Sequence, residues 1–203
     1  MIRTRAHATA EDASNGYEAV ASKFMEQREQ SSIGVATILR WAQALPPGAS
    51  ILDLGCGHGL PISMALINDG FIIYGIDAST TLTSAFRSRF PDAHVTCEAV
   101  EGSSFFDRTF NGVLAVGLIF LLTAEAQRDL IRRVAQVLNP GGRFLFTSPA
   151  DACAWTDVLT GRQSLSLGTE DYKGVLTGAG LALLGEYLDE GENHYFDAVS
   201  EPG

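Results

Sequence analysis

The chain has 203 residues, 46% of them hydrophobic and 19% charged, the make-up of a soluble globular protein with enough interior for a full core. Fourteen basic against 24 acidic side chains leave a net charge of −10, a field that repels a phosphate backbone, so nucleic acid is not an expected partner. The longest apolar run, Val113 to Leu122, covers about half a membrane span, and the polar N-terminal stretch lacks the apolar segment of a secretory signal, so a cytoplasmic protein with no membrane partner is expected.

Residues 1–14 are small and polar and are expected to form a mobile segment. Tyr17, Val20, Ala21, Phe24, Met25 and Arg28 then recur at helical spacing and predict an amphipathic helix. A second helix is predicted from the Ser31-Ser32 cap through Ile38, Leu39, Ala42 and Leu45, stopped by the Pro-Pro-Gly at 46–48. From there the pattern alternates. A strand over 50–54 leads into a glycine turn and a helix over about 60–68, and a strand over 71–77 leads into a helix over 79–90. Strands follow over 94–99 and 112–117, then a helix capped by Thr123, which the Asn-Pro-Gly-Gly at 139–142 ends before a fifth strand over 143–148. Strands apolar throughout and separated by helices mark a parallel sheet covered on both faces.

The tail departs from this rhythm. After a helix over 169–178, runs at 181–189 and 194–200 flank a short turn at 190–193, which predicts an antiparallel hairpin. The expected architecture is α/β: a doubly wound mixed sheet of seven strands, five parallel plus the C-terminal hairpin, in one domain over 1–203. The stretch 149–168 is predicted as a long loop and a candidate substrate lid. Cys56, Cys97 and Cys153 lie far apart with no C-x-x-C spacing, so reduced thiols and no metal site are expected. Cys56 is placed in or beside the turn as a small buried neighbour, and Cys97 in the core of the third strand.

The turn itself, Gly55, Gly57 and Gly59 after the first strand, lets backbone N–H groups approach a ligand closely at the N-terminus of the next helix. The dinucleotide fingerprint G-x-G-x-x-G would need a glycine at position 60, where this chain has Leu60. The pattern here is D-x-G-x-G-x-G, and its leading carboxylate, Asp53, suits a ligand carrying an ammonium or sulfonium better than a pyrophosphate. Asp77, at the end of the second strand, is placed to accept hydrogen bonds from both hydroxyls of a ribose, a device shared with NAD proteins. His58 is expected to face solvent.

In this order, "ILDLGCGHG", "YGIDAS", "FNGVLAVG", "NPGGRFLFT" and the terminal hairpin resemble a class I S-adenosylmethionine-dependent methyltransferase of small, single-domain type. The resemblance implies a Rossmann-like fold with S-adenosylmethionine as cofactor. It implies Gly55 and Gly57 against the methionine portion, Asp53 near its ammonium, and Asp77 on the ribose. It further implies Ala78, Ser79 and Leu82 at the adenine edge, with Ala99 and Val100 after the third strand where the family usually offers a polar residue. Tyr17 and Arg28 fall where related small enzymes close a first helix over the cofactor carboxylate. The implied activity is methyl transfer to a small-molecule N, O or S nucleophile by a monomer or homodimer.

Beyond the cofactor, Phe120 is a candidate wall of the acceptor pocket, and Trp155 and Asp157 are candidate substrate contacts. His194 and Tyr195 alternate faces of the final hairpin, so at most one faces the site; His194 is the candidate general base and Tyr195 a candidate substrate contact. No N-P-P-Y tetrapeptide follows the fourth strand, only Ala115 to Leu118, which weakens a case for amide or base nitrogens of protein or DNA. Two alternatives stay open: an NAD(P)-dependent oxidoreductase, and a protein that binds S-adenosylmethionine without catalysis.

Overall fold

The computed structural model describes residues 12–201, so the expectation for residues 1–11 lies outside the described residues. Residues 12–14 are docked, since the Asp12 carboxylate accepts hydrogen bonds from Ser14 N and Gly16 N, both at 3.0 Å. Helix α1 follows at Ala21–Glu29 and α2 at Val35–Ala42. The second helix starts later than predicted because Gly34 at its cap takes φ +82°, and the Ser31 hydroxyl binds only the nearby Ile33 N–H.

The alternating section is β1 Ser50–Leu54, α3 Ile62–Asn68, β2 Ile72–Asp77, α4 Thr80–Arg89, β3 His94–Cys97, β4 Phe110–Ala115, α5 Ala124–Val137 and β5 Leu138–Thr147. Side-chain caps open two of these helices: Ser79 accepts from Leu82 N at 3.1 Å and Thr123 from Ala126 N at 3.3 Å. The Asn-Pro-Gly-Gly run does not separate helix from strand as predicted. It lies inside β5, where the register against β4 shifts between Phe110 and Gly112 and absorbs it as a bulge.

The stretch 149–168 also differs from its prediction as a loop. It folds into a two-stranded antiparallel hairpin, β6 Cys153–Thr156 and β7 Gln163–Ser166, because alternate residues such as Ser164 and Ser166 find a buried side to pack on. Helix α6 at Thr169–Gly178 and strands β8 Leu181–Leu188 and β9 His194–Ser200 complete the chain.

The main sheet has seven strands in the order β3-β2-β1-β4-β5-β9-β8. Only the β5–β9 and β9–β8 pairs are antiparallel, as expected for a Rossmann-like mixed sheet. Side chains alternate between two buried layers. Phe144 and Phe146 pack with Phe196 and Tyr172 on one face, while Leu145 joins Ile51, Ile73 and Leu114 under α2 and α3 on the other. The chain runs outward from β1 to β3, then returns to lay β4 on the other side of β1. That reversal opens a crevice at the C-terminal ends of β1 and β4. Among the described residues no helix is long and apolar enough to cross a membrane.

Candidate active site

The crevice is a cavity of about 250 Å³. Its floor is the glycine turn. Gly55 sits at φ +72°, and a side chain there would place Cβ 3.1 Å from Leu118 across the opening. Gly59, at φ +84°, has no such room: a Cβ would fall 2.5 Å from the Phe90 ring.

Two carboxylates face this floor. Asp77 accepts from Gly57 N at 2.9 Å and from Ser79 N at 2.8 Å, so it fixes both the turn and the entry to α4. Burial pushes its carboxyl pKa up, and those two N–H groups pull against the rise. Asp53, only 4% exposed, accepts a 2.6 Å hydrogen bond from Ser63 Oγ. Burial pushes its pKa up to about 6, with Ser63 opposing and the Asp77 charge adding. Across from them the half-buried Arg28 guanidinium lines the cavity near Tyr17, Tyr195 and Asp189. Among the described residues none of Asp53, Asp77 and Arg28 has an ion-pair partner.

The cavity wall contains Tyr17, Arg28, Asp53, Gly55, Asp77, Ala78, Leu82, Ala99 and Val100 of the expected cofactor residues, and Phe120, Asp157 and Tyr195 of the expected acceptor residues. Four others fall elsewhere. Gly57 lies beneath the Phe24 ring and acts through its bond to Asp77. Ser79 is fully buried, its hydroxyl shared between the α4 cap and Glu18. Trp155 packs behind the wall against Phe120, ring centroids 5.3 Å apart.

His194 is not placed as a general base. Strand alternation puts Tyr195 on the cavity side, while the His194 ring lies edge-on to Phe196 with Nε2 3.3 Å from Glu186. His58 is likewise corrected. Instead of facing solvent it is fully buried beneath Phe24, neither ring nitrogen has a partner, and burial together with the Arg89 charge lowers its pKa to about 4. Cys97 is half-exposed near Thr80 rather than in the core, whereas Cys56 is buried on the cavity wall as expected.

Sequence reasoning missed Phe24, Ile33, Thr147 and Asn193, all on the wall. Phe24 carried a usable signal, because it shares a helical stripe with Tyr17 and Arg28. Asn193 carried none, since only the fold of the hairpin turn brings it to the cavity.

Residues 51–142 match the family described as "Methyltransferase domain". The chain holds its glycine turn, Asp53 and Asp77 within that stretch. It is 34% identical over 125 residues to a cypemycin N-terminal methyltransferase from Streptomyces sp, covering 57% of this chain and 50% of that protein. It is 28% identical over 130 residues to the Mus musculus tRNA (carboxymethyluridine(34)-5-O)-methyltransferase ALKBH8, covering 64% of this chain but 18% of that one. The chain thus spans half or less of these curated relatives. Its fold is similar to a Burkholderia thailandensis 1,6-didemethyltoxoflavin-N1-methyltransferase solved with that compound and S-adenosylhomocysteine, at TM-score 0.70 and 17% identity over 98% of this chain and 93% of that one.

The residues present fit S-adenosylmethionine, the cofactor that the sequence resemblance implies. An amino-acid moiety brings one ammonium and one carboxylate. The cavity holds a buried carboxylate, Asp53, and a guanidinium, Arg28, neither with an ion-pair partner among the described residues. Asp77 still has acceptor capacity toward a ribose beyond its two N–H bonds.

Proposed function

We propose that this chain transfers the methyl group of S-adenosylmethionine to a small-molecule nucleophile. The observation that carries the reading is the composition of the cavity beyond the glycine turn. There Leu118, Phe120, Leu121 and Leu122 form an apolar wall under the β6–β7 hairpin, with Tyr195 opposite. Such a pocket suits a compact apolar body.

In this reading Asp53 holds the cofactor ammonium, Arg28 its carboxylate and Asp77 its ribose, while Leu82, Ala78, Ala99 and Val100 border the adenine. When bound, the cofactor supplies a sulfonium, which makes the methyl carbon electrophilic. The chain's own task is alignment and exclusion of water, and alignment can contribute about 7–11 kcal/mol to such a reaction. Tyr17, whose hydroxyl donates to Asp157 at 3.4 Å, ties the N-terminal segment to the hairpin. The Asp12–Arg162 ion pair makes a second tie between the same two segments.

Curated relatives include tRNA methyltransferases, which gives a second reading. The −10 net charge opposes it, because a tRNA backbone would meet a repulsive field. Incubation with tritiated S-adenosylmethionine and, separately, a small-molecule metabolite extract, total tRNA and a peptide library tests the proposal. Label in small products alone is the expected result. Label in tRNA or peptide alone overturns it, and binding without transfer to any of the three leaves the non-catalytic alternative standing in its place.

A further inference from the structure

The hydrogen-bonding groups around the acceptor end are unusually one-sided, and the bias follows from where their protons are committed. Tyr17 donates its hydroxyl proton to Asp157 Oδ2 at 3.4 Å, and Tyr195 donates its own to Asp189 Oδ2 at 3.0 Å. Burial and then the adjacent carboxylate push both phenols up, Tyr17 to about 12, so neither proton is released. Asn193 gives its amide Nδ2 to both oxygens of Asp189, at 3.1 and 2.9 Å. What these three side chains have left for a ligand is oxygen lone pairs. Asp157 adds a full negative charge. Its Oδ1 is occupied by Leu159 N, Thr160 N and Thr160 Oγ1, but Oδ2 has only the long bond from Tyr17.

Donors on the cavity wall are fewer. The Thr147 hydroxyl accepts from Gly117 N at 2.8 Å and keeps its proton to give. The Asn15 amide Nδ2 is buried without a partner. Arg28 is the remaining donor, and the functional reading above assigns it to the cofactor carboxylate.

Resting on that reading, we infer that the methyl acceptor is an amine on an apolar body, its N–H groups received by Tyr195, Asn193 and Asp157. An amine offers two or three donors where an alcohol offers one, and a carboxylate would meet Asp157 in repulsion. The ammonium proton of the free amine first leaves to water, and the neutral nitrogen then attacks the methyl carbon and forms the C–N bond. The carbon–sulfur bond breaks with its electron pair going to sulfur, which leaves a thioether. Positive charge therefore moves from sulfur to nitrogen, and Asp157 stabilises it as it develops there. The proton of the new N-methylammonium then leaves to water.

The test uses benzylamine, phenethylamine and tryptamine, each beside its alcohol, thiol and carboxylate counterpart, with tritiated S-adenosylmethionine and the full chain. Amines are expected to be methylated, with counterparts at least about 100-fold lower in kcat/KM, the order a site built for N–H donors imposes on analogues lacking them. Asp157→Asn keeps an Oδ1 to cap its own turn and so retains the hairpin. It should lower kcat/KM for the amines about 100-fold while the S-adenosylmethionine affinity measured by calorimetry stays within about twofold. Methylation of an alcohol, thiol or carboxylate as fast as its amine, no methylation of any amine, or an Asp157→Asn variant with unchanged kinetics overturns the inference. Absence of S-adenosylmethionine binding in the same titration instead overturns the functional reading beneath it.

Discussion

The two ends of the cavity are assembled from different kinds of chain. The cofactor end comes from neighbouring segments: the turn after β1, the end of β2 with the start of α4, and the few residues after β3. Asp77 holds both the turn and the helix entry through Gly57 N and Ser79 N, so this end is one hydrogen-bonded unit that folds with the sheet. The end proposed to take the acceptor is a convergence of Phe120, Asp157, Asn193 and Tyr195 from three distant parts of the chain, with Tyr17 of a fourth part bound to Asp157. In the proposed function the compact motif fixes the chemistry, and the scattered segments select what it acts on.

That contrast is broken most severely at Asp77. Replacing it with Ala removes the carboxylate proposed to hold the ribose and the two N–H bonds that fix the turn, and is expected to weaken S-adenosylmethionine binding about 100-fold or more by calorimetry. Arg28→Leu should follow. Loss of one charge-assisted contact of about 1.5–3 kcal/mol predicts about a 10- to 100-fold rise in Kd, with the remaining affinity less dependent on salt than in the unaltered protein.

Asp53 gives a prediction of opposite sign for stability. Its folded pKa, about 6, lies above the unfolded value near 3.8. Between those values the folded chain binds more protons, so the ligand-free protein loses stability as pH rises from about 4 to about 6, by on the order of 2–3 kcal/mol. Asp77 contributes in the same direction. Asp53→Asn should therefore raise Tm of the ligand-free protein at pH 7.5 and flatten that pH dependence, while weakening S-adenosylmethionine. Scanning calorimetry across pH checks the first part. A Tm that falls at pH 7.5 would mean the carboxylate is stabilised by something other than the ligand it awaits.

The smallest effect belongs to the acceptor end. Arg162→Ala removes an ion pair whose partners are 47% and 36% exposed. It should change stability by less than about 0.5 kcal/mol and leave cofactor affinity unaltered, with any effect confined to the acceptor KM.

Legibility in the sequence divides along the same line. Asp53, Gly55 and Asp77 were readable because each sits at a fixed offset from a strand end, and the strands announced themselves as apolar runs. Ser79 was placed correctly in sequence but lost as a contact, since its hydroxyl is taken by the helix cap and Glu18. His194 and Tyr195 could be narrowed to one by strand alternation, but which one faces the cavity depends on the register of β9 against β5. His58 misled because a histidine amid glycines reads as exposed, and only the packing of α1 across the turn buries it. The β6–β7 hairpin was invisible as a pair of strands because each is only four residues long and the positions it buries most deeply are serines, Ser164 and Ser166.

The most direct measurement is isothermal calorimetry of the full chain with S-adenosylmethionine at pH 7.5, with NAD as control. The account predicts one site of micromolar affinity for S-adenosylmethionine and no heat with NAD. Binding of NAD, or no binding of S-adenosylmethionine, would contradict the assignment of Asp53 and Arg28 to an amino-acid moiety and of Asp77 to its ribose.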